Sequence, residues 1–165
     1  MDQSRLLFPR TARLWRALKG SSLDIQLEHK DRLNAICVTP NGKFVITACD
    51  DKSAHIWSLE PVVKMPVRSL AHADMVRSVS VTTDGQHVVT VARERHRPRV
   101  RVWRFNDGSL ERELEGHKQV VLSACVTPKP EPRPAGSNLV LTTSQDGTAR
   151  VWPLCLFAST GTAAG

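Results

Sequence analysis

Three histidines, His29, His72 and His117, recur at one place in a repeated text. Histidine changes charge near neutral pH, so each is a candidate general base. Their regular spacing points to a structural role instead, because each belongs to a separate unit and the three would not converge. No Ser-His-Asp order, Gly-rich phosphate loop or His-Glu metal motif accompanies them. Asp84-Gly85 is turn chemistry, not a catalytic acid. The expectation is a chain that is not an enzyme and carries no cofactor and no metal.

The second candidate chemistry is anion binding. Arg93 to Arg104 reads RERHRPRVRVWR, six arginines and a histidine in twelve residues. Arginine grips phosphate or carboxylate bidentately. The net charge of +7 and pI near 9.7 permit attraction to acidic partners. Nothing aromatic is interleaved for base stacking, so nucleic acid is not favoured. Arg101 shares a repeat position with Arg13 and Arg150, two before a tryptophan, and is read as an outward strand residue. Arg93, Arg95, His96, Arg97 and Arg99 are the special part, placed in the elongated turn between the unit's second and third strands. The four cysteines show no Cys-x-x-Cys and no His-Cys cluster, so zinc spacing is missing and buried, reduced thiols are expected.

The elements that must hold these groups are strands. Leu139 to Trp152, LVLTTSQDGTARVW, alternates with period two, breaks at Gln145-Asp146-Gly147 and alternates again. That is a β-hairpin. Similar text appears at Phe44 to Trp57, at His87 to Trp103 and, in part, as TARLW at Thr11 to Trp15. Eleven residues after each repeated histidine stands a turn residue: Pro40, Thr83 or Pro128. Short strands lie between: AICVTP, VSVTT and ACVTP. The three extra residues Arg95, His96 and Arg97 lengthen the second unit's hairpin turn, and a Pro-rich insert at 129–138 lengthens the third. Trp15, Trp57, Trp103 and Trp152 are then spaced 42, 46 and 49 apart.

This chain resembles the WD-repeat β-propeller family. The resemblance rests on Glu28-His29, Ala71-His72 and Gly116-His117 at the Gly-His position, and on Asn41-Gly42 and Asp84-Gly85 at the first turn. It rests also on Asp51 and Asp146, six residues before Trp57 and Trp152. It implies an all-β fold of blades, each of four antiparallel strands. The expected units are a partial blade at 1–28, repeats at 29–70, 71–115 and 116–157, and a flexible tail at 158–165. TARLW would be a third strand, with residues near 16–27 the fourth. About three and a half blades make an incomplete ring, so self-association or missing blades would be needed to close it. A fragment of a longer chain, serving as its sensor or autoinhibitory region, is the alternative to a self-standing binding module.

The resemblance also implies a buried hydrogen-bond tetrad in each blade: His29, Thr47, Asp51 and Trp57; His72, Thr90, Glu94 and Trp103; His117, Thr142, Asp146 and Trp152. Glu94 stands where aspartate belongs, one methylene too long, which would loosen the second blade. The Trp-Asp pair is also broken, since Ser58, Arg104 and Pro153 follow the tryptophans. By the same resemblance, residues just after each histidine rim the face that carries the arginine turn. These are Lys30, Asp31 and Arg32, then Asp74 and Arg77, then Lys118 and Gln119, joined by Asp50 and Gln145. A non-catalytic scaffold that presents this face to a protein or peptide, acidic or phosphorylated, is the expected function. With 41% apolar residues but no long apolar run, no transmembrane helix and no membrane partner are expected, and the N-terminus has too short an apolar core for a signal peptide. A cytoplasmic or nuclear location is expected.

Overall fold

In the computed structural model of the chain, residues 10–14, 25–127 and 137–155 are described. Expectations about Trp15, the Pro-rich insert up to residue 136 and the tail fall outside them. Thirteen strands and no helix make up the described residues.

β1 (Thr11–Leu14) and β2 (Ile25–Glu28) form a two-stranded antiparallel sheet. β3 (Leu33–Val38), β4 (Phe44–Cys49), β5 (Ser53–Ser58) and β6 (Arg68–Ala71) form a four-stranded meander. β7 (Val76–Val81), β8 (His87–Ala92), β9 (Arg99–Arg104) and β10 (Leu110–Glu115) repeat it. β11 (Val121–Val126), β12 (Ser137–Ser144) and β13 (Ala149–Cys155) give three strands of another. Ser137 and Asn138, assigned to the Pro-rich insert from sequence, open β12.

The sheets repeat in detail. Each first strand carries a register shift at the same place: between Leu33 and Ala35, Val76 and Ser78, and Val121 and Ser123. The extra residues are Asn34, Arg77 and Leu122. A bulge re-aims a side chain, and this one places Arg77 at the rim. The β4–β5 turn needs a left-handed residue. Lys52 supplies it with φ 70°, where Gly147 has φ 78° in the β12–β13 turn.

Sheets pack face to face, so the middle strands are buried on both sides. Ile46, Ala48, Ile56 and Leu70 of the first meander meet Val76, Val88 and Trp103 of the second. Val89, Val91, Val100 and Val102 of the second meet Val121, Val140 and Leu154 of the third. Ala12 and Leu27 of the short sheet cover Val45 and Trp57. This explains the near-continuous apolar text of β4 and β8.

Among the described residues the row of sheets does not close into a ring. Val151 is 59% exposed, whereas Ile56 and Val102, at the same repeat position, are 0% exposed. At the other end Ile36 and Val38, paired with Thr47 and Val45, are each 52% exposed. Cys125, paired with Leu141, is exposed for the same reason. This corrects the expectation of uniformly buried thiols, since among the described residues no sheet covers that face. Cys49 is buried and Cys37 partly so.

Candidate interaction face and buried networks

A directed chain of hydrogen bonds runs through each full hairpin. The Trp57 indole N–H donates to Thr47 Oγ1 at 3.0 Å, and the Thr47 hydroxyl donates to His29 Nε2 at 2.7 Å. The His29 Nδ1–H then donates to the Leu27 carbonyl at 2.9 Å. A carbonyl can only accept, which sets the tautomer. The second meander repeats this with Trp103 to Thr90 at 2.7 Å, Thr90 to His72 at 2.8 Å and His72 to the Leu70 carbonyl at 3.0 Å. In the third, Trp152 donates to Thr142 at 2.9 Å and Thr142 to His117 Nε2 at 2.8 Å, but His117 Nδ1 donates to Asp146 Oδ2 at 2.9 Å.

The turn acid therefore joins the network differently from sheet to sheet. The residue two before the tryptophan decides where it goes. His55 takes Asp51, with Nε2 to Oδ2 at 2.9 Å. Arg101 takes Glu94 at 2.6 Å. Arg150 instead lies over the Trp152 ring, 5.9 Å from its centroid, and Asp146 is left to His117. Thr148, the Lys118 N–H and His117 hold the Asp146 carboxyl well below the usual carboxylate range, the Thr148 hydroxyl contributing most. Burial lowers His29 and pushes His72 down to about 4, helped by the Arg101 cation. The repeated histidines are thus engaged in scaffold bonds, each to the threonine of a separate sheet.

The arginine run divides in two. Arg99 opens β9 and pairs with Glu113 and with Glu115, the latter at 3.1 Å. The Arg101 side chain is 13% exposed and lies between Glu94 and Glu113. Both are corrections: Arg99 is not in the turn, and Arg101 is an inward member of an ion network, because β10 carries the acids LERELE alongside β9.

Arg77, Arg93, Arg95, Arg97 and Lys118 form no ion pair among the described residues. Arg93, Arg95, Lys118, Gln119 and Gln145 line a cleft of about 360 Å³ between the second and third meanders. Arg77 and Arg93 line an adjoining cleft of about 310 Å³, again with Gln145. A third, of about 540 Å³, takes in Asp74, Arg95, His96 and Arg97. Lys30, Asp31, Arg32 and Asp50 line none of these; Asp31 accepts from the Arg32 N–H and Asp50 from the Asn34 amide.

One cluster is not visible as a sequence motif. Cys49, Asp51 and His55 bring a thiol, a carboxylate and an imidazole within 4.8 Å of one another across the β4–β5 turn. Burial pushes the Cys49 thiol up to about 11.

The sequence pattern of the WD domain, G-beta repeat, matches residues 20–58 and 108–153. It passes over much of the second unit, where Glu94 and the Arg95–Arg97 insert depart from the repeat although β7–β10 is as regular as β3–β6. The target of rapamycin complex subunit wat1 of Schizosaccharomyces pombe is 24% identical over 89% of this chain and 43% of its own length. The Xenopus laevis tRNA (guanine-N(7)-)-methyltransferase non-catalytic subunit wdr4 is 27% identical over 92% of this chain and 35% of its own. The chain thus spans less than half of these relatives. The crystal structure of the RRP9 WD40 repeats superposes with a TM-score of 0.64 at 19% identity, over 75% of this chain and 36% of that one. In sequence pattern and in the architecture of its sheets, this chain belongs to the WD-repeat family.

Proposed function

We propose that this chain is a non-catalytic protein-interaction scaffold whose cleft between the second and third meanders receives an acidic or phosphorylated segment of a partner protein. The observation that carries this is the convergence of Arg93, Arg95 and Lys118, none neutralised by a carboxylate among the described residues, on one cleft beside two amide side chains. Three cations favour a phosphomonoester dianion over the single charge of a nucleic-acid diester, and the cleft offers no aromatic ring for a base to stack on. Two relatives are named as subunits of larger assemblies, which fits a role exercised through partners.

The test is fluorescence anisotropy with a labelled Gly-Gly-phosphoserine-Gly-Gly peptide, its unphosphorylated twin and oligouridine. The phosphopeptide is expected to bind best. Charge reversal at Arg93, Arg95 or Lys118 is expected to weaken it about tenfold to a hundredfold each, a charge-assisted contact being worth about 1.5–3 kcal/mol. Lys43→Glu, in the turn at the opposite end of β4, leaves binding unchanged. Phosphopeptide binding indifferent to the triple reversal removes the arginine turn from this reading, and preference for oligouridine makes the partner a nucleic acid.

A further inference from the structure

We propose that Cys49, Asp51 and His55 form a binding site for a borderline-soft divalent cation, zinc by its donor set. Thiolate, imidazole and carboxylate are zinc's protein ligands, and a three-ligand set leaves the fourth tetrahedral position to water. Their donor atoms lie within 4.8 Å of one another. Ligand bonds of about 2.0–2.3 Å in a tetrahedron set donors roughly 3.5 Å apart, so the widest separation closes by roughly an ångström and the Asp51–His55 pair, now 2.9 Å apart, opens slightly, a small rotation of side chains.

The surroundings already orient the ligands. His55 Nδ1 lies 2.8 Å from Ser69 Oγ, which turns Nε2 toward Asp51. A second partner on the far nitrogen is the usual support of a metal-bound imidazole. Asp51 Oδ1 accepts from the Ser53 N–H at 3.0 Å, fixing the carboxylate in the turn. The Cys49 sulfur lies 3.4 Å from the Asp31 carbonyl, its present hydrogen-bond acceptor. The side chains of His55 and Asp51 are 13% and 12% exposed, which gives an ion a way in.

The repeat supplies an internal comparison. The positions of Cys49, Asp51 and His55 hold Ala92, Glu94 and Arg101 in the second meander, and Ser144, Asp146 and Arg150 in the third. In the second, the Arg101 guanidinium supplies the positive charge beside the turn acid. In the first, an imidazole and a thiol replace the guanidinium and an inert side chain. The turn acid there lacks a permanent cation, and two metal donors stand in its place. A divalent cation at this point restores the charge that arginine brings to Glu94.

Cobalt titration of the full chain, followed by visible and near-ultraviolet absorption, tests this. The expected result is one ion per chain, with the ligand-field bands of a tetrahedral site and a sulfur-to-cobalt charge-transfer band, all displaced by zinc. His55→Arg and Cys49→Ser each install a residue that a sister sheet carries at that position, so both are compatible with the fold, which circular dichroism checks. Each is expected to weaken binding at least about a hundredfold, and Ser69→Ala about tenfold through loss of the orienting hydroxyl. Cys37→Ser and Cys125→Ser leave it unchanged. Absence of the charge-transfer band in the unaltered chain overturns the proposal, as does its survival in Cys49→Ser or His55→Arg.

Discussion

Trp57→Ala lowers the free energy of unfolding by about 3–5 kcal/mol, the usual cost of deleting a buried indole. Trp57 is 2% exposed and packs with Ala12, Leu27 and Val45, so its loss opens a cavity between the short sheet and the first meander. Its N–H is one of two groups that depend on the Thr47 hydroxyl, the other being His29 Nε2. Thr47→Val keeps the shape and removes that hydroxyl. It leaves a buried donor and a half-buried acceptor without partners, at about 1–3 kcal/mol each. Trp57→Phe keeps most of the apolar contact and drops the N–H with a small part of the ring, so it costs less than Trp57→Ala. The Thr47→Val/Trp57→Phe double variant is expected to cost less than the sum, because the second change removes a donor that the first had stranded. Urea titration of the four variants measures this. Strict additivity, or a Trp57→Ala cost below about 1 kcal/mol, would mean that the network carries little of the stability.

Much of this architecture is written at short range and so is readable. Alternation, turn residues and the eleven-residue interval from histidine to turn mark each hairpin, and these are local properties of a strand and its neighbour. The repeated histidines and tryptophans could be matched because every unit uses the same threonine as their junction. The partner of the turn acid was harder to read. It depends on competition between the histidine and the residue two before the tryptophan, and His55, Arg101 and Arg150 resolve that contest in three different ways. The fate of Arg99 and Arg101 depends on acids twelve or more residues further along the chain, in β10, which pairing brings alongside β9. Cys49, Asp51 and His55 form no sequence motif because their convergence comes from a tight turn, not from a fixed metal-ligand spacing. The bulges that aim Asn34, Arg77 and Leu122 likewise leave no mark in composition.

The competition over the turn acid has a consequence for pH. His72 gives its Nδ1–H to a carbonyl, not to a carboxylate, and lies near the Arg101 cation. Burial first, and that cation second, push it from 6.5 down to about 4. Between those values the unfolded chain binds the proton and the folded chain resists it. Stability therefore rises with pH across this window. The contribution is complete above about 6.5 and is lost as pH falls through about 4, reaching at most about 3 kcal/mol. His29, lowered chiefly by burial, adds in the same direction. Asp146 acts in a different window. Its carboxyl is depressed, so its contribution is present above the ordinary carboxylate value of about 4 and is lost below it. Urea midpoints measured from pH 8 to pH 4 should fall in the unaltered chain. In His72→Gln, which cannot titrate, the starting stability is lower and the fall is shallower. His96→Gln, at an exposed position in the arginine turn, is the control for losing an imidazole outside the buried network. A slope that His72→Gln leaves untouched would assign the acid sensitivity to the other groups and deny His72 its neutral, buried role.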